Sequence, residues 1–165
     1  MTAHREYHER VTSNRTEALF LGLAFGFFLL FVRRASGRGL DTWGAVLLCG
    51  FAFFLFYSLN YRVLTIRLTA ETLQLKFGLF VWVIPLSNIE ACYPDETSLW
   101  RIGGAGIHFT PLRGRYRAIF NFLEHPRLVI ALKVRRGPVR DIAFSTRQPD
   151  DVRRLIRPGD TEGAD

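Results

Sequence analysis

The chain has 165 residues, 48% of them apolar, and 22 lysines and arginines against 15 acidic residues give a formal net charge of +7. This length allows one ordinary domain plus an anchor and excludes two independent domains of typical size. The two cysteines, Cys49 and Cys92, exclude a disulfide framework or a zinc-ligand spacing. The basic balance favours an anionic partner such as lipid headgroups.

Two uncharged apolar segments in the first third, residues 18–32 and 43–59, are typical of membrane helices. A hydrocarbon core about 30 Å thick needs roughly 20 residues, so the first segment spans it only if Arg33 and Arg34 reach outward. A cleavable signal peptide is the alternative for that segment, but two arginines stand where a small-residue cleavage site would be. We therefore predict a two-helix transmembrane hairpin over residues 18–59, preceded by a cytoplasmic tail, residues 1–17.

The distribution of basic residues predicts the orientation of this hairpin. Its connection, residues 33–41, is short, so both chain ends should lie on one side of the membrane. Three basic residues lie near the connection and six lie on the side of the termini. The positive-inside rule then places the termini and the later domain in the cytoplasm, in a multi-pass protein of the cell (inner, cytoplasmic) membrane. The three are Arg33, Arg34 and Arg38, and the six are Arg5, Arg10, Arg15, Arg62, Arg67 and Lys76.

Residues 60–157 are predicted to form a strand-rich domain closed by one helix. Apolar and polar residues alternate in residues 64–68 and again in 73–77, as they do in half-buried strands. A helix is predicted to begin at Pro149, and its apolar face would plug the open side of a small curved sheet or barrel. The acidic tail, residues 158–165, is predicted to be disordered. Further strands of an antiparallel arrangement are predicted around residues 80–84, 89–93, 106–110, 116–122, 127–134 and 139–144.

The order of motifs in this domain carries a family resemblance. LTIRLTAETLQLKFGLF and IPLSNIE are followed by the glycine-rich residues 103–107, a strand pair and a helix that starts with Gln148-Pro149-Asp150. Over residues 60–157 the chain resembles the bacterial pleckstrin-homology-like (PH-like) family of membrane-anchored proteins. The resemblance implies an α+β membrane protein whose PH-like antiparallel β domain is capped by a C-terminal helix. It implies an interaction or assembly module without catalytic residues or cofactor, and it makes self-association through strand edges a further option.

Two surfaces of the domain are predicted to bind lipid or a protein partner. Arginine-rich loop tips can engage the phosphates of anionic headgroups, although a solvated positive face is the alternative. The apolar residues 78–85 can touch the bilayer interface or a partner, either with Phe80 and Trp82 or with their neighbours on the other face. A strand buried on both faces is the alternative there. The arginines concerned are Arg113, Arg115, Arg117, Arg135 and Arg136.

The sequence contains no recognisable catalytic, cofactor or metal signature. His4 and His8 have the spacing of a helical metal pair but no third ligand nearby. The glycine-rich turn lacks the lysine and hydroxyl residue of a phosphate-binding loop, and nucleic-acid binding would rest on charge alone. We therefore predict a non-enzymatic module that assists the assembly, stability or regulation of a membrane complex through an unidentified protein partner.

Two other functions remain as alternatives. One is an anionic-lipid-surface or lipid-handling protein, which the basic loops would favour. The other is an enzyme whose site assembles from residues distant in sequence, and a deep cavity that joins them would favour it. The residues considered for such a site are His108, His125, Tyr116 and Arg117.

Overall fold

The computed structural model describes residues 6–112 and 114–156, which form an α+β structure of two apolar helices and two β-sheets. His4, Arg113 and the predicted disordered tail lie outside the described residues. The helices are α1 (Asn14–Arg38), α2 (Thr42–Asn60), α3 (Leu99–Ile102) and α4 (Pro149–Ile156). The strands are β1 (Tyr7–Thr12), β2 (Val63–Leu68), β3 (Thr72–Phe77), β4 (Phe80–Pro85), β5 (Ile89–Pro94), β6 (Gly106–Leu112), β7 (Arg115–Asn121), β8 (Arg127–Arg136) and β9 (Val139–Ser145).

The helices α1 and α2 are long and apolar enough to cross a membrane, by length and composition. With 25 and 19 residues they extend about 37 Å and 28 Å. The first helix is longer than its apolar segment because it begins in a polar turn, where the Ser13 hydroxyl accepts a hydrogen bond from the Thr16 amide at 3.0 Å. Only 6% and 11% of their apolar windows are buried, so most of the apolar surface faces outward.

The turn between these helices is held by Asp41. Its carboxylate accepts hydrogen bonds from the Arg34 side chain, at 2.8 Å from Nε, and from the Gly44 amide at 2.9 Å. The second bond caps the start of α2 and satisfies an amide that has no partner within the helix. The Arg34 side chain and then the Gly44 amide hold the pKa of Asp41 well below its usual range. The carboxylate is therefore ionised at neutral pH and fixes the two helix ends together.

The segment predicted as a tail contains an edge strand, β1, which pairs antiparallel with β2. The pairing begins beside the helices, where Thr12 lies opposite Val63. Glu9 of β1 also accepts a hydrogen bond from the Thr146 hydroxyl at 2.6 Å, close to the start of α4. Burial, reinforced by a hydrogen bond to the Glu9 carboxylate, raises the pKa of Tyr7. The N-terminal strand is thus tied to both ends of the domain.

The strands form a four-stranded sheet in the order β1-β2-β3-β4 and a five-stranded sheet in the order β5-β8-β9-β7-β6. All predicted strands are present, but the prediction of a purely antiparallel arrangement is wrong, because β7 and β9 are parallel. In the sheet, β9 lies between β8 and β7. It runs antiparallel to β8 and parallel to β7. Of the two predicted alternatives, a curved sheet or a barrel, a closed barrel is not formed, because the described strands remain two separate sheets.

The hydrophobic core lies between the two sheets. Period-two alternation turns Leu64 and Ile66 of β2 inward, and they belong to the same buried cluster as Phe120 and Phe144 of the second sheet. The predicted closing helix α4 is present and adds Val152 and Ile156 to this core. The apolar face of α4 covers part of the inner surface that the two sheets leave open.

The outer face of the second sheet is also covered, a feature that the sequence did not predict. Ile102 of α3 packs there with Ile119, Val129 and Ala143, one residue from each of three adjacent strands. The short helix ends at Gly103, whose left-handed backbone (φ 88°) favours glycine. Ile119, Val129 and Ala143, which face outward from this sheet, are therefore buried as well.

Replacement of a core phenylalanine tests this packing. We expect Phe144→Ala to lower the free energy of unfolding by about 3–5 kcal/mol, because the side chain is fully buried and leaves a cavity. Phe109→Ala, on an exposed side chain of β6, is the matched control and should change it by less than about 1 kcal/mol. The measurement is denaturant unfolding in detergent, followed by tryptophan fluorescence. Equal losses in both variants would contradict this account of the core.

Candidate functional site

The apolar segment 78–85 forms the edge strand β4 and the turn that precedes it. Leu79 in this turn is 71% exposed, and Val81 and Val83 on the outer face of the sheet are 44% and 45% exposed. The opposite face turns inward, where Ile84 is buried and the Trp82 ring lies 6.2 Å from the Phe120 ring. The strand is therefore not buried on both faces. We call the exposed residues Leu79, Val81 and Val83 the β4 surface.

Two of the predicted site residues, Trp82 and Arg136, come together at this strand. The guanidinium carbon of Arg136 lies 5.3 Å from the centre of the Trp82 ring. This cation–π contact contributes about 0.5–1 kcal/mol at an exposed site. Arg136 also donates a hydrogen bond from Nη1 to the Val83 carbonyl at 3.1 Å, a backbone group on the sheet edge. The side chain thereby joins the second sheet to the edge of the first.

Phe80 is partly exposed and lies near the end of the helical hairpin. Its ring centre is 6.4 Å from that of Tyr61, the residue that follows α2. Of the two aromatic residues predicted for this segment, Phe80 lies at the surface, whereas Trp82 is half-buried against the core. The neighbours on the other face, Val81 and Val83, which the sequence offered as the alternative, are exposed as well.

The prediction that Arg117 lies at a loop tip is wrong. Arg117 belongs to β7, and its side chain is only 5% exposed on the covered outer face of the second sheet. Its guanidinium lies 3.3 Å from the Asp95 carboxylate and 3.4 Å from the Asp141 carboxylate. Arg127 donates to the other oxygen of Asp95 at 3.1 Å. These four charged residues form a buried cluster, so Arg117 is not available to a membrane surface.

The remaining predicted arginines differ in their accessibility. Arg115 is partly exposed and lies 3.5 Å from the Asp141 carboxylate, at the edge of the buried cluster. Arg135 is exposed near the end of β8. Arg113 lies outside the described residues. Of the five arginines, the structure thus places Arg117 inside the protein, Arg136 on Trp82, and Arg115 and Arg135 at the surface.

The strand register places Arg115 away from the helical hairpin. The β6–β7 pair begins where Gly106 lies opposite Asn121, and there the Ile107 amide donates a hydrogen bond to the Tyr57 hydroxyl of α2 at 2.8 Å. The pair ends where Leu112 lies opposite Arg115. β7 has seven residues, so its two ends are about 20 Å apart.

A cavity of about 980 Å³ adjoins the buried charged cluster. Its wall includes Tyr93, Asp95, Ser98, Arg101 and Arg117. Two buried atoms of the cluster, Arg117 Nε and Asp141 Oδ1, have no hydrogen-bond partner among the described residues. None of the described lining residues is a histidine or a cysteine, the usual base and the strongest nucleophile of proteins.

The histidines considered for a catalytic site occupy separate places. His108 forms a hydrogen bond of 3.0 Å with the Ala105 carbonyl, and His125 forms one of 2.7 Å with the Thr12 carbonyl. Tyr116 is exposed on β7. Of the four residues considered, only Arg117 lines the large cavity. Within the part of the chain that the structure describes, no group of three His, Cys, Asp or Glu side chains is arranged to hold a metal ion.

The first sheet also carries a basic groove that sequence reasoning did not assign to a site. It lies on the outer face of β1, β2 and β3 and includes His8, Arg10 and Lys76. From the sequence, Arg10 and Lys76 were used only to predict the orientation of the hairpin. Alternation within each strand indicates which residues share a face, but the pairing of β1 with β2 was needed to bring them together.

Comparisons with protein-family models, with curated proteins and with solved structures found no significant match to this chain.

The buried charged cluster is open to a direct test. We expect Asp95→Asn to lower the free energy of unfolding by about 3–5 kcal/mol, because Arg117 and Arg127 would stay buried without their shared carboxylate. Glu96→Gln makes the same chemical change on the exposed neighbour and should cost less than about 0.5 kcal/mol. Denaturant unfolding in detergent measures both. If Asp95→Asn were as stable as the wild type, the cluster would have no structural role.

Proposed function

We propose that this chain is a membrane-anchored, non-enzymatic PH-like interaction module that binds a protein partner and assists the assembly, stability or regulation of a membrane complex. The observation that carries this proposal is the exposed β4 surface at the edge of the first sheet. An edge strand presents unpaired backbone groups, and proteins usually protect such edges with charges, bulges or short strands. The residues from Phe80 to Pro85 include no charged side chain, and the charge on this edge comes from Arg136 of the second sheet, which donates a hydrogen bond to the Val83 carbonyl.

The location of the β4 surface favours a partner in the same membrane. The turn before β4 contains Gly78, whose backbone packs so closely on Tyr61 and Asn60 that an added Cβ atom would clash with both. These two residues mark the end of α2. The β4 surface thus begins where the hairpin ends, and a membrane partner reaches it without a long extension.

The PH-like assignment is supported by the order of two sheets followed by a C-terminal helix that packs on their shared core. The parallel pairing of β7 and β9 departs from the antiparallel arrangement that the resemblance implies. A fold of this kind hosts many functions, so the surface and not the fold supports the proposed role.

The membrane anchor is supported by the two long helices, whose apolar side chains are largely not covered by the rest of the protein. Exposed apolar surface of this extent is unfavourable in water and suits lipid. We propose that both helices span the cell membrane and that the domain lies on the cytoplasmic side, as the basic residues predict.

Single cysteines test this orientation in intact cells. In a Cys49→Ala background, we expect Leu40→Cys in the helix connection to react with a membrane-impermeant maleimide added outside, and Glu71→Cys in the β2–β3 turn to react only after lysis. Both positions are exposed, and Cys92 is buried in the core. Labelling of Glu71→Cys in intact cells would contradict a cytoplasmic domain. Labelling of both positions from outside would contradict a spanning hairpin.

The β4 surface is tested by a charge placed in its centre. We expect Val81→Lys to reduce recovery of a crosslinked membrane partner by about tenfold or more, because a buried, unpaired ammonium group at an interface costs several kcal/mol. Position 81 lies opposite Lys76, so the new charge finds no counter-charge across the strand pair. Phe109→Lys, on an exposed apolar side chain of the other sheet, is the matched control and should leave recovery unchanged. The measurement is crosslinking in membranes, mild-detergent purification and quantitative mass spectrometry. Equal recovery with Val81→Lys would reject this surface as the binding site.

A further inference from the structure

The outer face of the first sheet contains a groove of about 410 Å³ next to the helical hairpin. The pairing of three strands places Arg10, Thr65 and Lys76 in one row, since Thr65 lies opposite Arg10 on one side and opposite Lys76 on the other. Strands in a sheet are about 5 Å apart, so the Cα atoms of Arg10 and Lys76 are about 10 Å apart. Two long basic side chains therefore flank a hydroxyl across the groove.

The charges of this groove are not neutralised by neighbouring carboxylates. Arg10 and Lys76 are exposed, and neither forms an ion pair with any residue that the structure describes. His8 adds a third basic side chain to the wall, and no acidic side chain belongs to the described lining. The buried arginines of the second sheet differ, because Arg117 and Arg127 have carboxylate partners. The groove thus keeps basic side chains available for an anion next to the helix ends.

The position of the groove identifies the source of that anion. Its lining includes Asn60, the last residue of α2, and Gly78, which packs on Tyr61. Thr65 is the third residue of β2, about 7 Å of strand beyond Val63. The headgroup region adds roughly 5–8 Å to each side of the hydrocarbon core, so the row of basic residues lies at a depth that phosphates can reach.

We propose that this groove binds the phosphate group of an anionic phospholipid from the leaflet in which the ends of α1 and α2 lie. Arg10 donates parallel N–H bonds to the two non-bridging phosphate oxygens, Lys76 supplies a second positive charge, and the Thr65 hydroxyl donates to one of the same oxygens. The inference rests on the membrane anchoring proposed above and adds the lipid class and the residues that recognise it. The β4 surface remains free for a protein.

The test uses the full-length chain and two lipid mixtures. The protein is reconstituted in phosphatidylcholine alone or with an equimolar amount of phosphatidylglycerol, extracted in mild detergent, and analysed by native mass spectrometry for retained lipid. We expect the wild type to retain phosphatidylglycerol preferentially. The double variant Arg10→Gln, Lys76→Gln should lower this preference by at least about tenfold, since each nearby charge contributes about a fivefold change in lipid affinity.

A charge-matched control separates the groove from net charge. Arg101→Gln with Arg140→Gln removes the same two positive charges from exposed positions elsewhere and should leave the preference intact. A wild type without lipid preference, or an equal loss in both double variants, would overturn the inference. Maleimide labelling of the wild type and of both double variants, each with Leu40→Cys in the Cys49→Ala background, reports whether the hairpin is inserted. If the wild type is inserted but shows no lipid preference, the groove is refuted and the anchor is not. If the wild type is not inserted, the proposed anchor is refuted.

Discussion

The joint between the helical hairpin and the first sheet sets the arrangement of the whole chain. β1 leads into α1 and α2 leads into β2, so one antiparallel pair continues from helices into strands. Because the helices are antiparallel, they deliver the two strands side by side and in opposite directions. Hydrogen bonds extend this joint to the second sheet, from the Ile107 amide to Tyr57 and from the Leu123 amide to the Thr16 hydroxyl at 3.1 Å. The domain is therefore held against the helix ends and does not hang from a flexible linker.

This rigid joint gives the surfaces of the first sheet a defined relation to the ends of the two apolar helices. The β4 surface and the basic groove lie on the same outer face, where Lys76 pairs with Val81, and both begin near the end of α2. One side of this face is apolar and the other is basic. Such a combination suits a site where a protein partner and anionic headgroups meet. The tip of the β6–β7 pair, at the other end of its strands, is better placed to contact groups farther from the helices.

The second sheet shows the opposite use of charge. Arg117 and Arg127 are buried with Asp95 and Asp141 under the segment that leads to α3. Buried ion pairs often contribute little net stability, because desolvation offsets their attraction, but the loss of one partner leaves a charge without compensation. The cluster therefore fixes how the covering segment lies on the sheet, and it leaves these arginines unavailable to an external ligand.

The sequence by itself determined the elements whose pattern is local. Two local patterns show directly which side chains avoid water: the apolar runs in α1 and α2, and the alternation in β2 and β3. Pro149 marks the start of α4. The apolar character of the β4 segment was likewise visible, although not which of its faces is exposed. These features need no knowledge of distant residues.

The tertiary structure alone decided the pairings and the coverage of each face. β1 has a weak local pattern, and it becomes a strand because the hairpin brings it beside β2, more than 50 residues away. Arg117 was predicted at a loop tip, whereas it lies on the outer face of β7, and only the fold shows that α3 and the preceding segment cover that face. The row of Arg10, Thr65 and Lys76 arises in the same way, from strands that lie far apart in sequence and adjacent in the sheet. Local periodicity carries no information about which distant segment will lie on a given surface. The β4 surface and the basic groove both depend on which segments pair and which faces are covered.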